Sequence, residues 1–91
     1  MSNELKAVSE ELERSNKLHG DFPDMGIGFQ IILEEFGELA QANLQRVFEK
    51  KGRSEYELVS NVHEEAIQLS AMALKMYRFI LKNLPLPQPP K

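Results

Sequence analysis

The sequence predicts an all-α fold, a bundle of about three helices per chain. Apolar residues recur at helical spacing in three segments, and Gly20, Gly52 and Pro85 punctuate them. Cysteine is absent, so neither a disulfide framework nor a thiolate metal site can hold a short chain together. The core must come from packed helices. A chain of 91 residues sits near the limit of self-sufficient burial, so association with further copies is expected.

The first helix is expected from about Ser2 to His19, capped by Ser2 or Asn3 and stopped by Gly20. Its stripe of Leu5, Val8 and Leu12 is thin. Glu10, Glu11, Glu13, Arg14 and Lys17 read as a solvated face. Asp21 to Gly26 has turn chemistry, with Pro23 disfavouring helix at Phe22 and Asp24 available as a cap. The second helix is expected from about Ile27 to Lys51, where Arg46, Lys50, Lys51 and Arg53 suit the negative end of the helix dipole. Ser54 followed by Glu57 gives the capping pattern of a third helix reaching Asn83 or Leu84. Residues 1–84 thus form one helical domain. Residues 85–91 form a proline-rich tail that favours polyproline II, a helix stop first and a proline-groove ligand second.

Composition excludes several functions. Hydrophobic residues make up 42% and charged residues 27% of the chain, so wholesale disorder is not expected. No apolar run reaches the length of a membrane span, and the acidic, amphipathic start lacks the apolar core of a signal peptide. A cytoplasmic location is the expectation. The net charge of −3 argues against a nucleic-acid polymer as partner.

Two acidic motifs carry the chemistry. Glu34-Glu35-x-x-Glu38 lies on the second helix and Glu64-Glu65-x-x-Gln68 on the third, thirty residues later. A short connection makes these helices antiparallel neighbours. Counted from residue 53, Glu38 lies fifteen residues before and Gln68 fifteen after, so both stand at about one height. With Ile31 at zero, Glu34, Glu35 and Glu38 fall at about 300°, 40° and 340°, among Ile27, Ile31 and Ala42. A wider apolar arc at about 80° to 200° holds Phe29, Ile32, Leu33, Phe36, Leu39, Ala40 and Val47. With Asn61 at zero, Glu65 falls at about 40°, inside the stripe of Leu58, Val62, Leu69, Met72, Met76 and Ile80. A carboxylate there is costly unless paired or bound to a cation. Oxygen donors of this type suit a hard divalent ion, magnesium above all. His63, at about 200°, faces away from them and reads as a surface or packing residue.

The stretch Ile31-Ile32-Leu33-Glu34-Glu35-Phe36-Gly37-Glu38-Leu39-Ala40-Gln41-Ala42 resembles the first motif of the MazG-like, all-α nucleoside triphosphate pyrophosphohydrolases. Glu64-Glu65-Ala66-Ile67-Gln68-Leu69 is similar to the second. The likeness runs from about Glu10 to Leu84. Gln68 stands where the family pattern has Asp, and some phage-type relatives share that feature. The resemblance implies a long antiparallel helix pair completed by dimerisation, as a homodimer or homotetramer. It implies Mg2+-dependent hydrolysis of a nucleotide to monophosphate and pyrophosphate, with Mn2+ as an alternative ion. Glu35, Glu38 and Glu65 would be metal ligands, and Gln68 a weaker one through its carbonyl oxygen. Glu34 or Glu38 would orient the attacking water. Positive groups must meet the phosphates, and Lys75, at about 320°, and Arg78, farther round, are the candidates, although solvated surface is the plainer expectation for both. Base contacts are expected from the His19 to Phe22 loop, with Phe22 either stacking on a ring or stapled against the second helix. The competing reading is a non-catalytic helical oligomer or interaction module with a degenerate acidic site.

Overall fold

Ser2 starts the first helix: its hydroxyl accepts the Leu5 N–H at 3.2 Å. A computed structural model of the chain describes residues 2–49 and 52–90. Helix α1 spans Asn3–His19 and closes on Gly20, whose φ of 69° is left-handed and whose N–H donates to the Asn16 carbonyl at 2.9 Å. Helix α2 spans Met25–Phe48. It begins two residues before the expected start because Asp24 is its cap, the carboxylate accepting the Ile27 N–H at 2.8 Å. It ends at Phe48, short of the expected Lys51, because Glu49 leaves helical geometry (φ −121°, ψ 62°) and caps it with its N–H on the Gln45 carbonyl at 3.0 Å; Lys50 and Lys51 lie outside the described residues. Helix α3 spans Glu55–Asn83 and is capped by Ser54, which accepts the Glu57 N–H at 3.1 Å. Pro85 has no N–H with which to continue it. Residues 85–90 are exposed and form no helix or strand, while Lys91 lies outside the described residues.

Among the described residues the architecture is three helices and no strand. Helix α3 is the axis: α1 and α2 both pack on it and not on each other. The core is thin. Leu12 of α1, Phe22 of the connecting loop, and Ala71, Met72 and Met76 of α3 are buried together, with Val8, Ile31, Ile32, Phe79 and Ile80 partly buried around them. Phe22 and Phe79 meet as a tilted pair, with ring centroids 6.5 Å apart and planes at 55°. Helix α2 approaches closely at Gly28, where a Cβ would lie 2.4 Å from the Met76 methyl and 2.9 Å from the Phe22 ring. Glycine is required there by space.

Most of the wider apolar arc of α2 faces outward, with Ile32 and Leu39 half-buried at its edge. Leu33 is 70% exposed, Phe36 59% and Phe29 50%. The narrower arc, with Gly28, Ile31, Glu35 and Ala42, is the more deeply buried. So few buried side chains make each one count. Leu12 is 2% exposed, and Leu12→Ala is expected to cost about 2–5 kcal/mol, a large share of the stability of so small a domain. Urea denaturation measures it, and a loss under about 1 kcal/mol would mean that Leu12 is not the centre of the core.

Candidate metal centre and adjoining cavity

Helix geometry puts Glu35 and Glu38 one turn apart on α2, and the short connection at Gly52 brings Glu65 of α3 up to them. Each of the three offers a carboxylate oxygen, and these oxygens all lie within 4.8 Å of one another. Glu35 and Glu65 are half-buried, and Glu38 is exposed. One oxygen of Glu35 and one of Glu65 are buried with no hydrogen-bond partner. Orphaned buried carboxylate oxygens are costly, and three converging acids compound the cost by repulsion. The donor set is oxygen only and open on the Glu38 side, so the residues fit a hard divalent cation that keeps some of its waters.

The electrostatics follow from this crowding. Burial, with the charges of Glu38, Glu11 and Glu34, raises the Glu35 carboxyl above its ordinary value of 4.5. Burial and the adjacent Glu38 do the same for Glu65. The Glu38 and Glu65 oxygens lie within 4.8 Å of each other, so two charges there repel. Raised carboxyls mean that the folded chain binds protons before the unfolded chain does. These two groups therefore make the metal-free fold more stable as pH falls toward 4.5, and the gain is complete once the unfolded carboxyls protonate too. Melting curves in chelator at pH 8 and pH 5 test this. The acid-side gain of the wild type relative to Glu35→Gln/Glu65→Gln is the expected result, and equal pH responses of the two proteins would refute it.

A cavity of about 340 Å3 adjoins the triad. Glu35, Gln68, Met72, Phe22 and Lys75 line it, and along α3 Lys75 stands seven residues, about 10 Å, beyond Gln68. Glu11, Arg14, Ser15 and the His19–Pro23 loop form the α1 side. Arg14 is clasped by Glu11, its Nε donating at 2.9 Å.

Most of the expected site residues meet here. Glu35, Glu38 and Glu65 form the triad, and Gln68 lines the cavity beside Glu35. Glu34 is exposed and outside the triad, because it points about 100° away from Glu35 around α2. Phe22 is a core residue at 5% exposure, packed against Phe79 and Met76 and with the Lys75 ammonium 4.8 Å from its ring centre. Little of that ring is free to stack on a base. Lys75 is 5% exposed and not on solvated surface, because α1 covers its side of α3. Its burial lowers the ammonium pKa, against a smaller opposing effect of Asp21. Arg78 is exposed and borders a separate groove with Asn16, Asp21 and Lys75. His63 is exposed, as expected.

Sequence reasoning passed over the α1 wall. Glu11 was expected on a solvated face, yet it lines the cavity and adds to the charge felt by Glu35. Ser15 is 6% exposed. The signal lay in the period: the stripe Leu5, Val8, Leu12 continues by the same steps to Ser15 and His19. Searches against family models, curated proteins and solved structures each found no match to the chain.

Proposed function

We propose that the chain is a MazG-like nucleotide pyrophosphohydrolase, dependent on Mg2+ and active as an oligomer. The observation that carries this reading is the triad itself: three carboxylates from two helices within 4.8 Å, two of them with buried, unpartnered oxygens beside a ligand-sized cavity. No membrane partner is indicated, since no helix among the described residues is long and apolar enough to cross a bilayer.

Glu35, Glu38 and Glu65 would hold Mg2+, with Gln68 contributing a neutral carbonyl oxygen, and Mn2+ would suit the same donors. When bound, such an ion offsets phosphate charge and makes water a better nucleophile. The residues of the chain do the rest. Crowded carboxylates at the open edge, Glu38 and the outlying Glu34, orient a water and accept its proton. The water oxygen attacks the α-phosphorus, the bond from that phosphorus to the bridging oxygen breaks, and pyrophosphate leaves. Burial of the nucleoside in the cavity fixes the α-phosphorus against the acids, which is the entropic part of the rate. Lys75 and Arg78 are the positive groups on that side of α3.

Assembly belongs to this reading. Phe29, Leu33 and Phe36 form an outward apolar face on α2 that a second copy would cover, completing the bundle across the interface.

A panel of nucleoside triphosphates assayed for pyrophosphate with Mg2+ is the test. Release from at least one substrate, abolished by chelator and by Glu38→Gln, is the expected outcome. No release across the panel at high protein concentration, with Mg2+ still bound, would favour the non-catalytic oligomer, the reading to which Gln68 in place of Asp lends weight.

A further inference from the structure

The cavity has a second polar end that the acids do not use. Lys75 Nζ forms no ion pair among the described residues, although the side chain is 95% buried by its 5% exposure. Asp21 is near enough to influence it but does not pair with it. Ser15 is likewise almost fully buried. Both line the same cavity as Glu35. An ammonium that forms no ion pair with the protein, on a side chain this buried and lining the cavity, is free to meet an acceptor on a ligand there, and the ring of Phe22 offsets only part of its lost hydration.

Position decides what that acceptor is. Lys75 stands ten residues beyond Glu65 on α3, about 15 Å along the axis. Its ammonium is not folded back toward the acids, because it lies 4.8 Å from the ring centre of Phe22. Phe22 in turn is fixed against Gly28 and Met76, and Gly28 is about 10 Å along α2 from Glu35. A phosphate held at the triad does not reach this end. The nucleoside attached to it does.

We propose that Lys75 and Ser15 form a base-reading subsite for nucleobases that carry a lactam group, the adjoining C=O and N–H of uracil, thymine, guanine and hypoxanthine. Lysine is a donor only, so it takes the exocyclic carbonyl oxygen, which protrudes farthest toward the end wall. Serine can accept, so it takes the neighbouring ring N–H. Adenine and cytosine present an amino group where the carbonyl would be, setting donor against donor beside a buried charge. The assignment rests on the pyrophosphohydrolase reading above, because it takes the acids as the phosphate end.

Titration calorimetry with nucleoside 5′-monophosphates in Mg2+ tests it. Uridine and guanosine monophosphates are expected to bind at least about tenfold tighter than cytidine and adenosine monophosphates. Lys75→Met, which keeps an unbranched side chain one atom shorter and removes the charge, should bring the four within about threefold of one another while the Mg2+-induced rise in melting temperature persists. Ser15→Ala should narrow the preference with Lys75 intact. An absent or reversed preference in the wild type overturns the proposal. So does a Lys75→Met variant that weakens all four ligands equally, since that places the lysine on phosphate. Binding of none of the four overturns it as well. Pyrophosphate release by the same sample then separates the two ideas: release without base preference sinks only the subsite, and no Mg2+ response sinks the parent reading.

Discussion

Mg2+ raises the melting temperature of the wild-type chain and leaves that of Glu65→Gln unchanged. This is the expected result with the largest reach, because it turns the unpartnered oxygens of Glu35 and Glu65 into a measurement. An ion that binds only the folded state at a hundred times its dissociation constant adds about 2.7 kcal/mol, or roughly 10 to 20 °C for a domain of this size. The variant has a second signature. Without metal, Glu65→Gln removes one of three crowded charges and lets its amide donate to Glu38, so the metal-free variant should melt higher than the metal-free wild type. A Glu merely solvated on a helix surface would give neither effect. Protein concentration must be held fixed, since assembly also shifts the melting point. Equal Mg2+ responses in the two proteins, or none in either, would remove the metal centre from this molecule.

The second large effect concerns the outer face of α2. Leu33→Glu/Phe36→Glu places two charges where 70% and 59% exposed apolar side chains now stand. If a second copy covers that face, each substitution removes a buried anchor and costs about 2 kcal/mol, together about a thousandfold in the dissociation constant. Sedimentation equilibrium should show an oligomer for the wild type and a monomer for the double variant at micromolar concentration. The fold of the monomer should survive, because neither side chain belongs to the buried cluster around Leu12 and Phe22. A wild-type chain that sediments as a monomer throughout would leave the face without this partner.

Much of this was legible in the sequence, and the limits have physical causes. The helices and their ends follow from local rules. Ser2, Asp24 and Ser54 cap because their side-chain oxygens reach free N–H groups three residues on. Gly20 and Gly52 end or redirect the chain because only glycine adopts positive φ cheaply. The overlap of the two acidic motifs also follows from the sequence, since rise per residue and a short connection fix the relative height of two antiparallel helices to within about a turn; the count set Glu38 level with Gln68, and the structure brings it to Glu65.

What height cannot give is the identity of the covered arc. On α2 the apolar content alone favours the arc of Phe29, Leu33 and Phe36, yet the arc turned to α3 carries Gly28, Ile31 and Glu35. Gly28 explains part of that choice: it is the place where Phe22 and Met76 can fit against the α2 backbone. Lys75 differed for a related reason. Its angle on α3 was readable, but its burial depends on α1 lying across that angle, together with a ring supplied by the loop.

By itself the sequence determined three helices, their caps, and two acidic motifs at matching heights, because each depends on neighbours within a few residues or on a fixed rise. Only the tertiary structure decided that Glu35, Glu38 and Glu65 share one space, that Glu34 does not, and that Lys75 and Ser15 line the adjoining cavity. Those outcomes depend on how the helices are rotated about their own axes. That rotation is set by the best packing of a few buried side chains, a property of the assembled core and not of any one segment.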